Sequence, residues 1–254
     1  MKLAIIVPAH NEEENILETI TRIEDSVVNI DYELIVVNDH SQDRTAEIVT
    51  GLCLRYSNLR LVENSLDKGF ANALRTGFNN FNAEAVIPIM GDLCDDLSTI
   101  PKMLEKLDLG FDIVCGSRYI KGGRRIGGSK IKGVLSCFAG WSIHCLLGLP
   151  THDIANAFKV YRSEVIDSID IKASGFEISM EIPLKGHFQG FKMTEVPTSW
   201  KERARGESNF NIFKLLPKYI KLYIWAIFNR IHPVGGRHPV GGRHPVGGVH
   251  LRGG

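Results

Sequence analysis

Short apolar runs rich in Ile and Val recur through the first half of this chain, and they constrain its fold more than any other feature. Each run has about the length of one β-strand, and segments with helical periodicity separate the runs. Because parallel strands need a crossover connection, strands alternating with helices predict an α/β fold with a parallel sheet. The runs are Leu3 to Val7, Glu33 to Val37, Leu59 to Glu63, Ala85 to Met90 and Asp112 to Cys115.

Helical periodicity is clearest from Glu12 to Asp25, where Ile16, Ile20 and Ile23 share one face. Other predicted helices are Arg44 to Tyr56, Lys68 to Phe78 and Ser98 to Leu107. Beyond Lys121 the pattern loosens into a basic loop, an apolar helix from about Val134 to Leu147, a strand near Ala157 to Tyr161 and a mixed region to about Phe210. We expect this second half to form the part of a binding site that holds the acceptor, the molecule that receives a transferred group.

Two acidic segments directly follow predicted strands. Asp39 lies in the segment Val-Asn-Asp-His-Ser-Gln-Asp, and Asp92 lies in Met-Gly-Asp-Leu-Cys-Asp-Asp. The carboxyl ends of parallel strands form the edge of the sheet where ligands bind. A carboxylate there can hold a ribose, a base or a divalent cation, so the leading interpretation is an enzyme that transfers a sugar from a nucleotide.

Phosphate groups would have to be bound here without a glycine-rich cradle. After the first strand the chain has Pro8-Ala9-His10-Asn11-Glu12, which matches neither the dinucleotide-binding fingerprint nor the phosphate loop of P-loop proteins. The negative charge of a bound phosphate must then be balanced by a metal ion and by cationic side chains. Five cations lie between Lys121 and Lys132 with no acid among them, which is consistent with either an anion-binding loop or a solvated one.

Composition limits the partners and the compartment. A net charge of +1 argues against a general nucleic-acid binder, which would be strongly basic. The five cysteines are odd in number and form no Cys-x-x-Cys pair, which is typical of incidental thiols in a reducing cytosol. The N-terminal apolar run is interrupted early by Pro8, so we interpret it as a first strand and expect a cytoplasmic protein.

Several motifs, in the same order along the chain, carry a family resemblance. The first three are Ile-Val-Pro-Ala-His-Asn-Glu-Glu-Glu-Asn, Val-Val-Asn-Asp-His-Ser-Gln-Asp-Arg-Thr and Lys-Gly-Phe-Ala-Asn-Ala-Leu-Arg-Thr-Gly. Later ones are Gly-Ser-Arg-Tyr, Thr-His-Asp-Ile-Ala-Asn-Ala-Phe-Lys and Arg-Ala-Arg-Gly-Glu-Ser. From residue 2 to about 210 the chain resembles glycosyltransferase family 2, and in particular the polyprenyl-phosphate (dolichyl-phosphate) mannosyl- or glucosyltransferases. The resemblance implies a GT-A fold.

The resemblance also implies a nucleotide-sugar site. Pro8, Glu12 and Asp39 would line the nucleoside pocket, although Pro8 is also suited to ending a strand and Glu12 to a helix N-terminus. The full set of predicted donor-binding residues is Pro8, His10, Glu12, Asp39, Lys68, Gly91 and Asp92. The expected donor is a GDP- or UDP-sugar, held together with a divalent cation, Mg²⁺ or Mn²⁺.

The metal motif departs from the family pattern. The family's Asp-Ala-Asp stands here as Met90-Gly91-Asp92, so only the second carboxylate remains, and Cys94 replaces a polar residue. Hard divalent cations prefer oxygen ligands, which neither Met nor Cys supplies. We therefore predict Asp92 and Asp95 as the metal ligands, with an N-terminal helix charge as the alternative role for Asp95.

The predicted catalytic residues are Asp92, Arg118 and Asp153, and the predicted acceptor-binding residues are Arg118, Lys132, Arg203 and Ser208. The resemblance implies that Arg118 reaches the diphosphate or the acceptor phosphate. A phosphate acceptor needs no general base, because its second pKa is about 6. A hydroxyl acceptor would need one, for which Asp153 is the candidate. The alternative for Asp153 is a turn residue, or a hydrogen bond that positions Arg118 or Arg203.

The predicted organisation is a catalytic domain at 1–210, an amphipathic helix at 211–231 and a low-complexity tail at 232–254. Within this segment the regular helix is expected to run from Pro217 to Ile231, which is too short to cross a bilayer but can lie on a membrane surface or pack against the domain. The tail repeats His-Pro-Val-Gly-Gly-Arg and is expected to be disordered, with a histidine metal array as the alternative.

The predicted function is inverting transfer of a hexose from a nucleoside-diphosphate sugar to a polyprenyl phosphate, at or near a membrane surface. One alternative is a soluble glycosyltransferase that acts on a hydroxyl. Another is a non-catalytic protein that binds nucleotide sugars, consistent with Met90 and with Asn209, which replaces a lysine of the family.

Overall fold

The computed structural model describes residues 1–202 and 212–231. Arg203, Ser208, Asn209 and the tail at 232–254 therefore lie outside the described residues. The predicted division into a catalytic domain, a C-terminal helix and a tail stays a prediction.

Seven strands form the central sheet in the order β3-β2-β1-β4-β7-β5-β8, and two more form a small separate sheet, β6-β9. The strands are β1 (Leu3–Ala9), β2 (Tyr32–Asn38), β3 (Leu59–Glu63), β4 (Ala85–Pro88), β5 (Ile113–Ser117), β6 (Arg124–Ile126), β7 (Lys159–Arg162), β8 (Met193–Pro197) and β9 (Ser199–Lys201). All five runs predicted from the sequence are strands.

The central sheet is parallel except at β7, which runs antiparallel to both β4 and β5. Strand β1 is flanked by β2 and β4, with Ile5 paired to Leu34 on one side and to Ile87 on the other. The carboxyl ends of these strands consequently meet at one edge of the sheet. The prediction of a mostly parallel α/β sheet is confirmed.

Helices cover both faces of the sheet. They are α1 (Ile16–Ser26), α2 (Thr45–Cys53), α3 (Phe70–Asn80), α4 (Ile100–Asp108), α5 (Lys130–Leu147), α6 (Ser163–Ser168), α7 (Ile178–Phe188) and α8 (Ile212–Ile231). Alternate side chains of β1 enter different cores: Ile5 packs with α1, α2 and α4, whereas Ile6 packs with α3 and α5 to α8. Burial on both faces explains why the strands are nearly continuous apolar runs.

Two helices begin earlier than predicted. Helix α5 starts at Lys130 because Ser129 caps it, its hydroxyl accepting a hydrogen bond from the N–H of Lys132. Helix α8 starts at Ile212, so Pro217 lies inside the helix rather than in its first turn. No helix in the described part of the chain is long and apolar enough to cross a membrane.

Candidate active site

A cleft of about 820 Å³ opens at the carboxyl edge of the central sheet. It brings together predicted residues from distant parts of the chain, namely Pro8, His10, Glu12, Asp39, Lys68, Asp92, Asp95, Arg118 and Lys132. Gly91 and Asp153, also predicted, are not among its lining residues. The carbonyl of Gly91 instead accepts a hydrogen bond from the Thr19 hydroxyl at 2.9 Å, which ties the acidic segment to α1.

Asp39 is held rigidly at one end of the cleft. Its carboxylate accepts the N–H of Gly69 at 3.1 and 2.9 Å and the amide of Asn64 at 2.7 Å, and the residue is only 5% exposed. Gly69 directly precedes α3, so the carboxylate lies at the positive end of that helix. The ring nitrogen Nδ1 of His10 lies 2.6 Å from the carbonyl oxygen of Asp39. These contacts preorganise one face of a pocket for a polar ligand.

Glu12 lies beside this end and is itself positioned by hydrogen bonds. Its N–H donates to the Thr45 hydroxyl at 2.8 Å, and its carboxylate accepts the Asn15 amide at 2.9 Å. Thr45 opens α2 and Asn15 precedes α1, so two helix starts fix the loop that carries Glu12. Pro8 is the penultimate residue of β1, and it both lines the cleft and leads out of the strand.

We expect Asp39→Ala to weaken nucleotide binding even without metal, by at least about tenfold, because one charged hydrogen-bond acceptor is lost. Calorimetry with a nucleoside diphosphate in the presence of a chelator measures this. Asp43→Ala is the matched control: Asp43 accepts the N–H groups of Thr45 and Glu13 but is not among the lining residues of the cleft. Equal affinity losses in the two variants would contradict the assignment.

Asp92 and Asp95 form the acidic part of the cleft. Burial, and then the neighbouring Asp92 carboxylate, raise the pKa of Asp95 to about 7. The Oδ2 atom of Asp95 is buried and has no hydrogen-bond partner among the described residues. Asp92 Oδ1 accepts the N–H of Cys94 at 3.2 Å. The charges of Arg118 and Lys159 act in the opposite direction on the pKa of Asp95, and a bound cation would further offset the repulsion between the two carboxylates.

The acidic part fits a divalent cation that takes some of its ligands from the protein and the others from a substrate. No group of three or more His, Cys, Asp or Glu side chains able to hold a metal exists within residues 1–202 and 212–231. Mg²⁺ is commonly bound by one or two carboxylates together with substrate phosphates. Asp92 and Asp95 match that pattern, so the remaining ligands would come from the nucleotide.

Arg118 and Asp153 form a buried ion pair behind the acidic part. Arg118 Nε and Nη2 donate to the Asp153 carboxylate at 2.7 and 2.8 Å, and the backbone N–H of Arg118 donates to it at 3.0 Å. The side chains are 11% and 0% exposed. Burial lowers the pKa of Arg118, but the hydrogen bonds to Asp153 outweigh it and raise the pKa above its ordinary value.

This geometry favours the predicted alternative in which Asp153 positions Arg118, and the catalytic role of Asp153 stays a prediction. Both carboxylate oxygens are engaged by Arg118, and the residue is fully buried. Arg118 itself lines the cleft, and its Nη2 also lies 3.3 Å from the Ser136 hydroxyl on α5. The guanidinium is thus oriented by groups from two parts of the fold.

Lys159 ends the motif Thr-His-Asp-Ile-Ala-Asn-Ala-Phe-Lys but received no role from the sequence, and the structure shows it as a fully buried lysine below the cleft. Its Nζ donates to the carbonyl oxygens of Ile154 at 2.9 Å and Ser179 at 3.1 Å, and also to that of Asn156. Burial lowers its pKa. Lys159 thereby joins the loop that follows Asp153 to α7, and both of these line the cleft. The motif contains this lysine, but its role in joining two segments depends on backbone carbonyl groups, which no sequence pattern specifies.

Helix α8 closes one side of the cleft, with Leu216, Tyr219, Ile220 and Tyr223 in its wall. Lys218 Nζ donates to the Ser174 hydroxyl at 2.8 Å, and the Trp225 ring meets Phe188 edge-on at 5.7 Å. The aromatic side of this helix therefore packs on the domain. Burial raises the pKa of the Tyr219 hydroxyl.

The sheet, its flanking helices and the cleft at the carboxyl edge define a GT-A glycosyltransferase fold. The fold matches that of glucosyl-3-phosphoglycerate synthase from Mycobacterium tuberculosis, solved with Mn²⁺, UDP and glucosyl-3-phosphoglycerate, with a TM-score of 0.65 at 18% identity over 90% of this chain and 79% of that one. The sequence model of glycosyl transferase family 2 matches residues 4–169. The chain belongs to glycosyltransferase family 2, as its motifs predicted.

Curated relatives extend the comparison. A dolichol-phosphate mannosyltransferase of Pyrococcus furiosus is 33% identical over 232 residues, which cover 89% of this chain and 64% of the relative. A polyprenol monophosphomannose synthase of Mycolicibacterium smegmatis is 27% identical over 240 residues, covering 91% of this chain and 89% of the relative. The chain thus spans less than two thirds of the length of the Pyrococcus protein.

Proposed function

We propose that this protein transfers a hexose from a nucleoside-diphosphate sugar, a GDP- or UDP-sugar, to a polyprenyl phosphate. The proposal rests on one observation: a single cleft is lined by acidic, cationic and apolar side chains in different parts of its wall. Asp39, Asp92 and Asp95 make one end acidic, Arg118 and Lys132 are cationic, and α5 and α8 add apolar side chains. The names of the Pyrococcus and Mycolicibacterium relatives, which specify dolichol phosphate and polyprenol, support the same acceptor class.

At the donor end, Asp39 and Glu12 would hold the nucleoside, and Asp92 and Asp95 would hold a divalent cation on the diphosphate. When bound, such a cation supplies Lewis-acid stabilisation of the charge that develops on the leaving oxygens. Arg118 lies in the same cleft and, fixed by Asp153, would stabilise that charge with a preorganised guanidinium. A guanidinium that does not have to reorient during the reaction contributes more to the rate.

The proposed reaction is a single displacement with inversion. An oxygen of the acceptor phosphate attacks the anomeric carbon, a new carbon–oxygen bond forms, and the bond to the diphosphate breaks. The nucleoside diphosphate leaves with the bonding electron pair. No proton has to be removed from a phosphate that is already ionised. A hydroxyl acceptor would need a base, and Asp153 is poorly placed to serve because Arg118 occupies both of its oxygens.

The apolar wall continues onto the outer surface of the protein. Helices α5 and α8 pack against each other. They expose a set of large side chains, here called the α5–α8 apolar surface: Ile131, Val134, Leu135, Phe138, Trp141, Leu146, Leu216, Ile220, Ile224 and Phe228. An exposed apolar surface of this kind marks an interaction site. Leu135, Leu216 and Ile220 also line the cleft, so the two regions are continuous.

We propose that the α5–α8 apolar surface rests on an anionic membrane from the cytoplasmic side. Lys130 and Lys132 lie at the start of α5, and Lys221 lies on α8, so cations accompany the apolar side chains. Anionic headgroups attract such cations, while apolar side chains enter the boundary with the acyl chains. A lipid acceptor could then extend from the membrane into the cleft without leaving it completely.

We expect Ile224→Gln with Phe228→Gln to reduce co-sedimentation with anionic vesicles several-fold, since these side chains are 61% and 62% exposed on α8 and would lose their burial in the membrane. Nucleotide affinity should not change. Leu54→Gln with Leu109→Gln is the matched control, because these residues are 92% and 71% exposed away from α5 and α8. If wild type and both double variants bind vesicles equally, the surface is a site for another partner.

A turnover screen tests the proposed function directly. GDP- and UDP-sugars would be offered with polyprenyl phosphate or with a sugar hydroxyl acceptor, each with Mg²⁺, with Mn²⁺ or with a chelator. The proposal expects cation-dependent transfer to the lipid phosphate. Transfer only to a hydroxyl would favour the soluble alternative, and nucleotide binding without turnover would favour a binding protein.

A further inference from the structure

The small sheet β6-β9 borders the cleft, and its central residue pair is Arg125 with Trp200. Both residues line the cleft. The guanidinium carbon of Arg125 lies 5.1 Å from the centroid of the Trp200 ring, which is the geometry of a cation–π contact. Arg124, the neighbour of Arg125, is exposed and is not among the lining residues, so β6 directs only one of its two arginines toward the cleft.

Two glycines make room for the Arg125 guanidinium at the start of α5. A Cβ atom built on Gly133 would come within 2.8 Å of Nη1, and one built on Gly128 would overlap Nη2. Gly133 lies in the first turns of α5, and Gly128 directly precedes the capping Ser129. The guanidinium is consequently held between the Trp200 ring and the beginning of the helix that carries the α5–α8 apolar surface.

Strand β9 also contacts the acidic segment. Trp200 forms an antiparallel bridge with Asp95, and the N–H of Lys201 donates to the carbonyl of Cys94 at 3.0 Å. On its other side β9 pairs with β6. A single short strand therefore sets the position of Arg125 relative to Asp92 and Asp95.

We propose that Arg125 binds the phosphate of the acceptor and that Trp200 is the residue that positions it. This inference rests on the proposed function. The charge of Arg118 is matched by Asp153, whereas Trp200, the aromatic partner of Arg125, is neutral. Stacking uses the face of a guanidinium and leaves its in-plane N–H groups for an anion, which a phosphate can accept in a bidentate manner. Because Arg125 adjoins α5, a phosphate bound there would have its lipid chain next to the apolar surface.

The test is a kinetic comparison of Arg125→Gln, Arg125→Lys and the matched control Arg124→Gln. A short, soluble isoprenyl phosphate serves as acceptor, first without vesicles and then with anionic vesicles. Arg125→Gln should raise the acceptor KM by at least about tenfold, the scale of one charge-assisted hydrogen bond. The donor KM and the affinity for nucleoside diphosphate with Mn²⁺ should stay within about twofold of wild type. Arg124→Gln should match wild type.

The proposed positioning role of Trp200 is tested by substituting its side chain. Trp200→Leu should raise the acceptor KM as Arg125→Gln does, and Trp200→Phe should restore much of the loss, because a ring is again available to the guanidinium. A residue with a merely structural role would change donor and acceptor KM together. If Trp200→Leu fails to fold, Trp200→Phe combined with Arg125→Gln tests whether the two effects are non-additive, as the proposal requires.

Two outcomes would overturn the inference. One is an Arg125→Gln defect that appears only with anionic vesicles, because Arg125 would then bind lipid headgroups. The other is an equal rise in donor and acceptor KM. Failure of the proposed function is distinguishable, because wild type would then show no transfer at all. Equilibrium binding of the isoprenyl phosphate to wild type and Arg125→Gln would still report whether Arg125 holds a phosphate.

Discussion

Asp153→Ala is expected to abolish transfer and to lower the free energy of unfolding by about 3–5 kcal/mol, the range for breaking a buried ion pair by removing one partner. The reason is the burial of Arg118: without Asp153 its charge remains in the interior with its main anionic partner gone. Urea denaturation measures the stability, and a transfer assay at saturating donor measures the activity. Losses of both are expected in the same variant.

Two further variants help to distinguish a structural ion-pair role of Asp153 from a general-base role. Asp153→Ala with Arg118→Met removes both charges, so it should recover much of the stability while remaining inactive. Glu18→Ala breaks an exposed pair with Arg22 and should cost less than about 1 kcal/mol. An Asp153→Ala protein with normal stability and with activity lost only toward hydroxyl acceptors would instead identify Asp153 as a general base.

Asp92→Asn and Asp95→Asn should each remove most of the cation-dependent part of nucleotide affinity and lower turnover by at least about 100-fold, the scale for losing one electrostatic stabiliser of a transition state. The physical reason is that the proposed cation would be held by these two neighbouring carboxylates, with the nucleotide supplying the remaining ligands. Calorimetry of nucleoside diphosphate with Mn²⁺ and with a chelator, together with turnover, measures the effect. Affinity in the presence of a chelator should change little.

Asp96→Asn is the matched control for this pair. Asp96 is adjacent in sequence, but its carboxylate accepts the N–H of Ser98 at 3.2 Å and caps the 3₁₀ turn at Leu97–Thr99. Asparagine keeps a side-chain oxygen that can cap the turn, so the substitution should leave both stability and cation dependence close to those of wild type. Cation dependence lost in Asp96→Asn and retained in Asp95→Asn would contradict the metal assignment.

The first half of the fold was predictable because its signals are local. Ile and Val runs such as Leu3 to Val7 become strands when both faces are buried, and the isoleucines of α1 repeat at helical spacing. The family motifs add side-chain chemistry at the strand ends. Four of the residues predicted from these motifs, Asp39, Asp92, Asp95 and Arg118, line one cleft. Their roles in catalysis remain predictions.

The second half was predicted less well because its signals depend on packing. The prediction that the regular helix begins at Pro217 was wrong. Helix α8 starts at Ile212, so the proline lies within it. The aromatic side chains Tyr219 and Tyr223 lie in the cleft wall, while Ile224 and Phe228 are the exposed ones. One amphipathic sequence is compatible with either orientation, and the contacts of α8 with the domain select between them.

The chain's own residue order determined the α/β class, the family and the set of charged groups at the carboxyl edge, because strand length, helical period and motif spacing are relations between near neighbours. Tertiary structure alone decided which charges pair and which face the cleft. Arg118 and Asp153 are 35 residues apart, and Trp200 reaches Arg125 only because β9 lies beside β6. Whether a charge is neutralised or left for a ligand depends on distance and burial in three dimensions, and no local pattern encodes either.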